Sequence, residues 1–401
     1  MSDTRRHAIA PIRSDYAAGA DFLRVLSIFL IAWFHIWQQS WLNPSFTLFG
    51  HYCNLDPMIR AGYAMVDVML MLSGFLLMLG HLSGRNRRPV DFYRARAARI
   101  VPCYLLCVLV ILFFDAIPNG LYGSAKQFWC DLLSHLTFTH SLTKYGYIYT
   151  HLNGALWTLS VEVQFYLIFP VLGRAFERQP YATYAGMVAL ALVCHAGTAL
   201  CFSDTGILLN QLPNMLDAYA NGMLAAVIYR KLARREGTRI GRILSAIICV
   251  LSLIGMYYCV CAQSWLRGSG SEALRHQQLL WRYPLTLCGA LFAVSASLSL
   301  AGVRAIVSNP LIRFLSGISF NFYMWHQYLA VWLKKWRIPA YTGDTPNIDG
   351  QAPWQNRYTL ICFGAALLLA TALTYLVEKP CGKWIRSRGK RKKQIETQNE
   401  S

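Results

Sequence analysis

The chain has 401 residues, of which 55% are hydrophobic and 14% charged, and a formal net charge of +19. Its mean hydropathy is +0.33, whereas a soluble globular domain carries about 25% charged residues, so an ordinary soluble enzyme is excluded. The basic residues punctuate apolar runs, and no RRM, zinc-finger or helix-turn-helix signature accompanies them, which excludes nucleic acid as a partner.

Runs long enough to cross a bilayer, about 20 residues each, fall at 21–42, 61–81, 97–115, 155–173, 181–202, 213–230, 243–262, 283–301, 315–333 and 358–378. They predict an all-α membrane protein, a polytopic bundle of about ten helices. The apolar run 22–37 is followed by no small-residue cleavage site, so it is expected to stay as an anchor. Helix 1 carries Arg24 and His35, eleven residues apart and therefore on one face. Helix 2 carries Asp67, followed by Ser73-Gly74, which suits close helix packing. Arg96 and Arg99 are i, i+3 neighbours at the start of helix 3 and can close on one anion with phosphate-matching forks.

The longest loop on the side of the even-numbered entries, 116–154, holds an apolar stretch from Phe128 to Phe138 that suits an interfacial helix. Its His135, His140 and His151 fit no familiar zinc spacing and read as surface histidines, so no metal is expected. Helix 4 carries Glu162. Helix 6 is the weakest span, interrupted by Asn214, Asp217 and Asn221. Ser316, Ser319, Tyr323 and His326 form a polar stripe along helix 9. Glu378 reads as a boundary residue at the end of helix 10. Twelve cysteines, without a CxxC pair, imply neither a disulfide framework nor a metal site.

With the N-terminus in the cytoplasm, 28 of the 38 Lys and Arg residues fall on inner segments and 10 on outer loops, Arg282 among the latter. That asymmetry predicts both termini inside. Residues 1–385 are expected to form one transmembrane domain, and 386–401 a basic, polar, disordered cytoplasmic tail.

At 1.5 Å per residue, His35 lies roughly 21 Å above the inner face. Asp67 and Glu162 lie roughly 9 and 10 Å below the outer face. These three ionisable groups are thus expected to share one level of a polar chamber, because a charge in hydrocarbon costs about 2.5–3.5 kcal/mol even on lenient scales. Such groups also mark ion relays, so a proton- or ion-coupled transporter is the rival reading. The absence of an internal repeat weighs against two-halved transporter folds.

Six fragments in one order resemble the acyltransferase family 3 membrane proteins, which O-acylate surface glycans and related molecules. They are Phe22-Leu-Arg24 with His35; Val66-Asp67 to Ser73-Gly74-Phe75; Arg96-x-x-Arg99-Ile-x-Pro102-x-Tyr104; Leu156-Trp157-Thr-Leu-Ser-Val-Glu162-Val-Gln164-Phe-Tyr166; Ile318-Ser319 through Tyr323-Met-Trp325-His326; and Val377-Glu378-Lys-Pro380. Val163 stands where the family has a second acidic residue, and Phe320 where Tyr is common.

The resemblance implies that His35 is catalytic and Arg24 essential, and that Arg96 and Arg99 meet acyl-coenzyme A from the cytoplasm. It implies transfer of an acyl group, acetyl first among the options, to a hydroxyl of a cell-surface or lipid-linked glycan at the outer side of the inner membrane. Glu162 or Asp67 is expected to orient His35 or hold sugar hydroxyls. Ser73, Trp157, Gln164, Ser319, Tyr323 and His326 are assigned with Asp67 to the substrate or acyl path. Some members carry a further SGNH hydrolase-like domain; this chain ends soon after the last predicted helix, as a stand-alone form does.

Overall fold

The computed structural model describes residues 16–387, apart from 86, 87, 236 and 266. The predicted tail from 388 onward lies outside the described residues. Ten long helices follow the predicted order: α1 (Ala18–Ser40), α2 (Met65–Leu82), α3 (Pro89–Ile111), α4 (Trp157–Arg178), α5 (Pro180–Cys201), α6 (Leu212–Ala233), α7 (Arg239–Ala262), α8 (Ser271–Leu298), α9 (Pro310–Lys335) and α10 (Ala352–Leu373). Proline stands in the first turn of α3, α5 and α9, where its missing N–H costs nothing. Asn309 caps α9 by accepting from the Ile312 amide at 2.9 Å.

Eight of these stretches are long and apolar enough to cross a membrane. The other two are α6, which buries Asn214, Asp217 and Asn221, and α9, which buries Ser316, Asn321 and His326. Their polar side chains point into the protein rather than toward lipid. α1 lies at the centre of the bundle, against α2, α8, α9 and α10. It runs in the same direction as α9: Ser316, early in α9, donates to Asp21 (2.7 Å), while Lys334, late in α9, donates to the Gln39 carbonyl (2.9 Å).

α2 and α6 cross in direct backbone contact. A Cβ on Gly222 would lie 1.9 Å from the Met71 carbonyl oxygen, and one on Gly74 would lie 2.5 Å from that of Tyr219. Only glycine permits so close a crossing. A two-residue hairpin (β1, Ser45–Leu48; β2, His51–Asn54) follows α1. Its turn residues Phe49 and Gly50 both have positive φ, which matches the strand twist.

Three expectations change. α8 begins twelve residues before the predicted 283, because its polar first turns still form helix and are tied by a Glu272–Arg275 ion pair. Arg282 is therefore not a loop charge; it lies inside α8 and is 1% exposed. Residues 117–153 form a compact cap, with a helix at Ala125–Leu136 over most of the stretch where one is expected, and a second at Lys144–Tyr147.

Within that cap His135 and His140 are buried, not superficial. Asp131, four residues before His135 and so on the same helical face, is the reason. Its fully buried carboxylate pairs with His135 Nδ1 (3.1 Å) and accepts from Thr150 Oγ1 (2.9 Å), the His151 amide (3.0 Å) and Tyr122 (3.1 Å). The His135 ring stacks on His140 at 4.2 Å. Burial, and then the neighbouring His135, push the His140 imidazole down to about 3. Asn153 donates to the Met324 carbonyl (2.7 Å) and fastens the cap to α9.

Candidate active site

Two cavities occupy the bundle, and they divide the predicted site residues. The first spans about 830 Å³, part of it open to solvent. Arg24 from α1, Ser73 from α2, Arg96 and Arg99 from α3, and Glu162 from α4 line it, with Ser319 from α9. Thr158, Tyr166 and Tyr323 also face it, and most of the remaining wall is apolar, including Leu70, Leu72, Leu76, Leu77, Ile100 and Leu159. Ser73 donates to Glu162 at 2.7 Å. Arg24 donates to Ser316 at 3.0 Å and stands 3.8 Å from Asp21. Arg96 lies over the Phe92 and Tyr166 rings at 5.8 and 5.9 Å, and its Nε is buried with no partner among the described residues. A buried donor left without an acceptor is costly. Three guanidiniums line this cavity with one carboxylate, Glu162, in its wall and Asp21 beside Arg24, so the excess positive charge leaves it prepared for an anion.

The second cavity is larger, about 1430 Å³, and more open. His35, Asp67, Trp157, Arg282 and Gln327 are among its walls. Asp67 is not free within it: Arg282 Nε donates to its carboxylate at 3.1 Å, and the same guanidinium reaches the Leu209 and Asn214 carbonyls at 3.2 and 2.9 Å. This group ties α2, α6 and α8 together.

Helical geometry explains the division. Arg24 and His35 do share a face of α1, and both turn toward α9, but eleven residues separate them by about 16 Å along the axis. Each therefore opens into a different cavity. The expected common level of His35, Asp67 and Glu162 does not hold. Glu162 meets Ser73, six residues or about 9 Å beyond Asp67 along α2. Neither Glu162 nor Asp67 orients His35. That imidazole bonds instead to His326, Nδ1 to Nε2 at 2.7 Å, and His326 Nδ1 lies 2.6 Å from the Tyr323 carbonyl oxygen.

Val66 and Tyr323 line both cavities and form the partition between them. The Tyr323 hydroxyl donates to the Ala155 carbonyl (3.1 Å), on the His35 side, and accepts from Thr158 (3.0 Å), on the arginine side. Two of the assigned residues line neither cavity. His326 is buried behind His35, and Gln164 donates to Ser141 and Ser160 at the base of the cap (3.3 and 3.4 Å). Arg282 and Gln327 were missed in the sequence. Arg282 abuts an apolar run and reads as a flanking charge; Gln327 carries no periodic signal beside the polar stripe. Among the described residues no group of His, Cys, Asp and Glu is arranged to hold a metal ion.

No solved structure matches the chain. Similar proteins include the acyltransferase MdmB of Streptomyces mycarofaciens, 34% identical over 33% of this chain and 35% of its own length. The exopolysaccharide production protein ExoZ of Rhizobium meliloti (strain 1021) is 32% identical over 42% of this chain and 52% of its own. ORF330 of Acidianus two-tailed virus, named as an acetyltransferase, is 24% identical over 76% of this chain and 80% of its own. The chain thus spans only about a third of MdmB and half of ExoZ. The model of the acyltransferase domain of acyltransferase family 3 matches residues 18–377, nearly the whole chain. With its bundle of apolar helices and two facing cavities, the chain belongs to the acyltransferase 3 family.

Proposed function

We propose that this enzyme carries an acyl group, most simply acetyl, from cytoplasmic acyl-coenzyme A to a hydroxyl of a surface or lipid-linked glycan on the far side of the inner membrane. The observation that carries the reading is the pair of cavities sharing a wall at Val66 and Tyr323. One holds three guanidiniums, and the other an imidazole. All ten long helices are taken to cross, with both termini cytoplasmic, so that the arginine cavity faces the donor side.

In this reading Arg96 and Arg99 bind the phosphates of coenzyme A, and the apolar wall receives the pantetheine arm and acyl group. Arg24 is held at the cavity by Ser316 and adds a third positive charge. The thioester carbonyl reaches the second cavity past Tyr323. There the acceptor oxygen attacks the carbonyl carbon while His35 Nε2 takes its proton, general-base work that suits an imidazole near neutral pH. The tetrahedral adduct collapses with cleavage of the carbon–sulfur bond. The departing thiolate takes the proton back from the imidazolium, so ester and free thiol are the products and no charge accumulates. The open, aromatic-lined second cavity suits a sugar, and the name of ExoZ favours a polysaccharide.

The test uses purified protein in nanodiscs, acetyl-CoA, and a glycan and glycolipid extract as acceptor. His35→Ala is expected to lower acetyl incorporation at least a thousandfold. Unchanged incorporation together with lost solute flux in vesicles would replace this reading with a transporter.

A further inference from the structure

The proposed chemistry leaves one question at His35. An imidazole serves as a base only through an unprotonated nitrogen, and each neutral ring carries a proton on one nitrogen or the other. Something must decide which nitrogen faces the acceptor. The carboxylates that could do so are committed elsewhere, Asp67 to Arg282 and Glu162 to Ser73.

The contacts behind His35 decide it. The Tyr323 carbonyl can only accept, so at 2.6 Å His326 Nδ1 must carry a proton and donate it. A neutral His326 then presents a lone pair at Nε2. His35 Nδ1 lies 2.7 Å from that atom and must donate to it. The proton of His35 is thereby confined to Nδ1, and its Nε2 keeps the lone pair. That nitrogen has no partner among the described residues, and His35 lines the open cavity. His326 is 1% exposed and touches neither cavity, so it can act only through its neighbour.

We propose that His326 is a positioning residue that sets the tautomer of His35, in a relay running from the Tyr323 carbonyl through two imidazoles to the acceptor. The inference rests on His35 being the base. The relay resembles the role of the third group in a hydrolase triad, which holds the imidazole in the correct tautomer and orientation. Here the third group is neutral and main-chain anchored. The proton taken by His35 Nε2 stays on that nitrogen until the departing thiolate takes it, while the Nδ1–H bond to His326 persists, so no second proton needs to move.

The experiment compares His35→Ala, His326→Leu and His326→Gln with the wild type in the nanodisc assay with acetyl-CoA. It also records 15N spectra of selectively labelled histidines. Leu removes the acceptor; Gln keeps an amide oxygen that can receive the His35 Nδ1–H. His326→Leu is expected to lower kcat at least a hundredfold with KM for acetyl-CoA within twofold, and to shift the His35 15N signals away from the single Nδ1–H form. His326→Gln is expected to recover activity to within about tenfold of wild type. Thermal unfolding and acetyl-CoA binding report whether each variant is folded. Equal losses in the Leu and Gln variants, matched by equal losses of thermal stability, would make His326 a packing residue and overturn the proposal. A fully active His326→Leu beside an inactive His35→Ala would overturn it and leave the function intact. A fully active His35→Ala would remove the function beneath it.

Discussion

At the residue scale, the informative side chains are those whose needs the protein leaves unmet. Arg96 keeps a buried Nε beside the first cavity with no partner among the described residues. A charge-assisted hydrogen bond contributes about 1.5–3 kcal/mol. Arg96→Ala is therefore expected to raise KM for acetyl-CoA roughly ten- to a hundredfold, with kcat changed much less. Steady-state kinetics with varied donor checks this, and an unchanged KM would detach the cavity from coenzyme A. Asp67 behaves in the opposite way, because its charge is fully met by Arg282 at 3.1 Å. Removing one partner of a buried pair costs about 3–5 kcal/mol, whereas replacing both can be neutral. Asp67→Leu should lower thermal stability strongly, and adding Arg282→Met should restore much of it. Equal instability of single and double variants would rule out the pair as the reason.

At the element scale, two packing devices position these residues. The first is the crossing of α2 and α6, where Gly222 lies against the Met71 carbonyl. Gly222→Ala forces the helices apart, and overpacking typically costs about 1–3 kcal/mol. The same shift moves Ser73 and Asp67, so stability and activity should fall together, as unfolding and turnover measured on one preparation would reveal.

The second device is the cap over 117–153. His140 has its folded pKa depressed to about 3, against about 6.5 in the unfolded chain. Above pH 6.5 both states hold a neutral ring, and stability does not respond. Between 6.5 and 3 the unfolded chain takes a proton that the folded cap refuses, so stability falls as pH falls, by at most about 1.4 kcal/mol per unit. Proteolytic nicking of the cap should rise across this window. His140→Gln should flatten that rise, and a profile identical in both proteins would assign the acid sensitivity to another group.

At the scale of the whole molecule, the bundle holds two cavities that share a wall at Val66 and Tyr323. Eight helices are apolar enough to cross; α6 and α9 carry the polar groups that the other helices enclose. This is how a bilayer protein can keep Asn214, Asp217, Asn321 and His326 away from lipid. Both termini are proposed to be cytoplasmic, so a tag after Ser401 should be reached by antibody only in permeabilised cells. Labelling of intact cells would reverse the direction of transfer proposed above.

Much of this was legible in the chain. Ten apolar or semi-apolar runs, spaced by loops and punctuated by arginines, specify ten helices in order, because backbone satisfaction in lipid leaves only the helix and the closed barrel, and runs of about 20 residues suit the helix. The face shared by Arg24 and His35 follows from helical repeat alone, and the six ordered fragments specify the family. Contacts across helices were not legible. Arg282 looked like a loop charge because its partner Asp67 is 215 residues away. His135 and His140 looked superficial because Asp131 pairs with His135, and the two rings stack, only once the cap folds. The division of one expected chamber into two, and the bond from His35 to a histidine 291 residues away, depend on rotation and depth of each helix against its neighbours. Local periodicity states which face of a helix is polar; only packing states what that face meets.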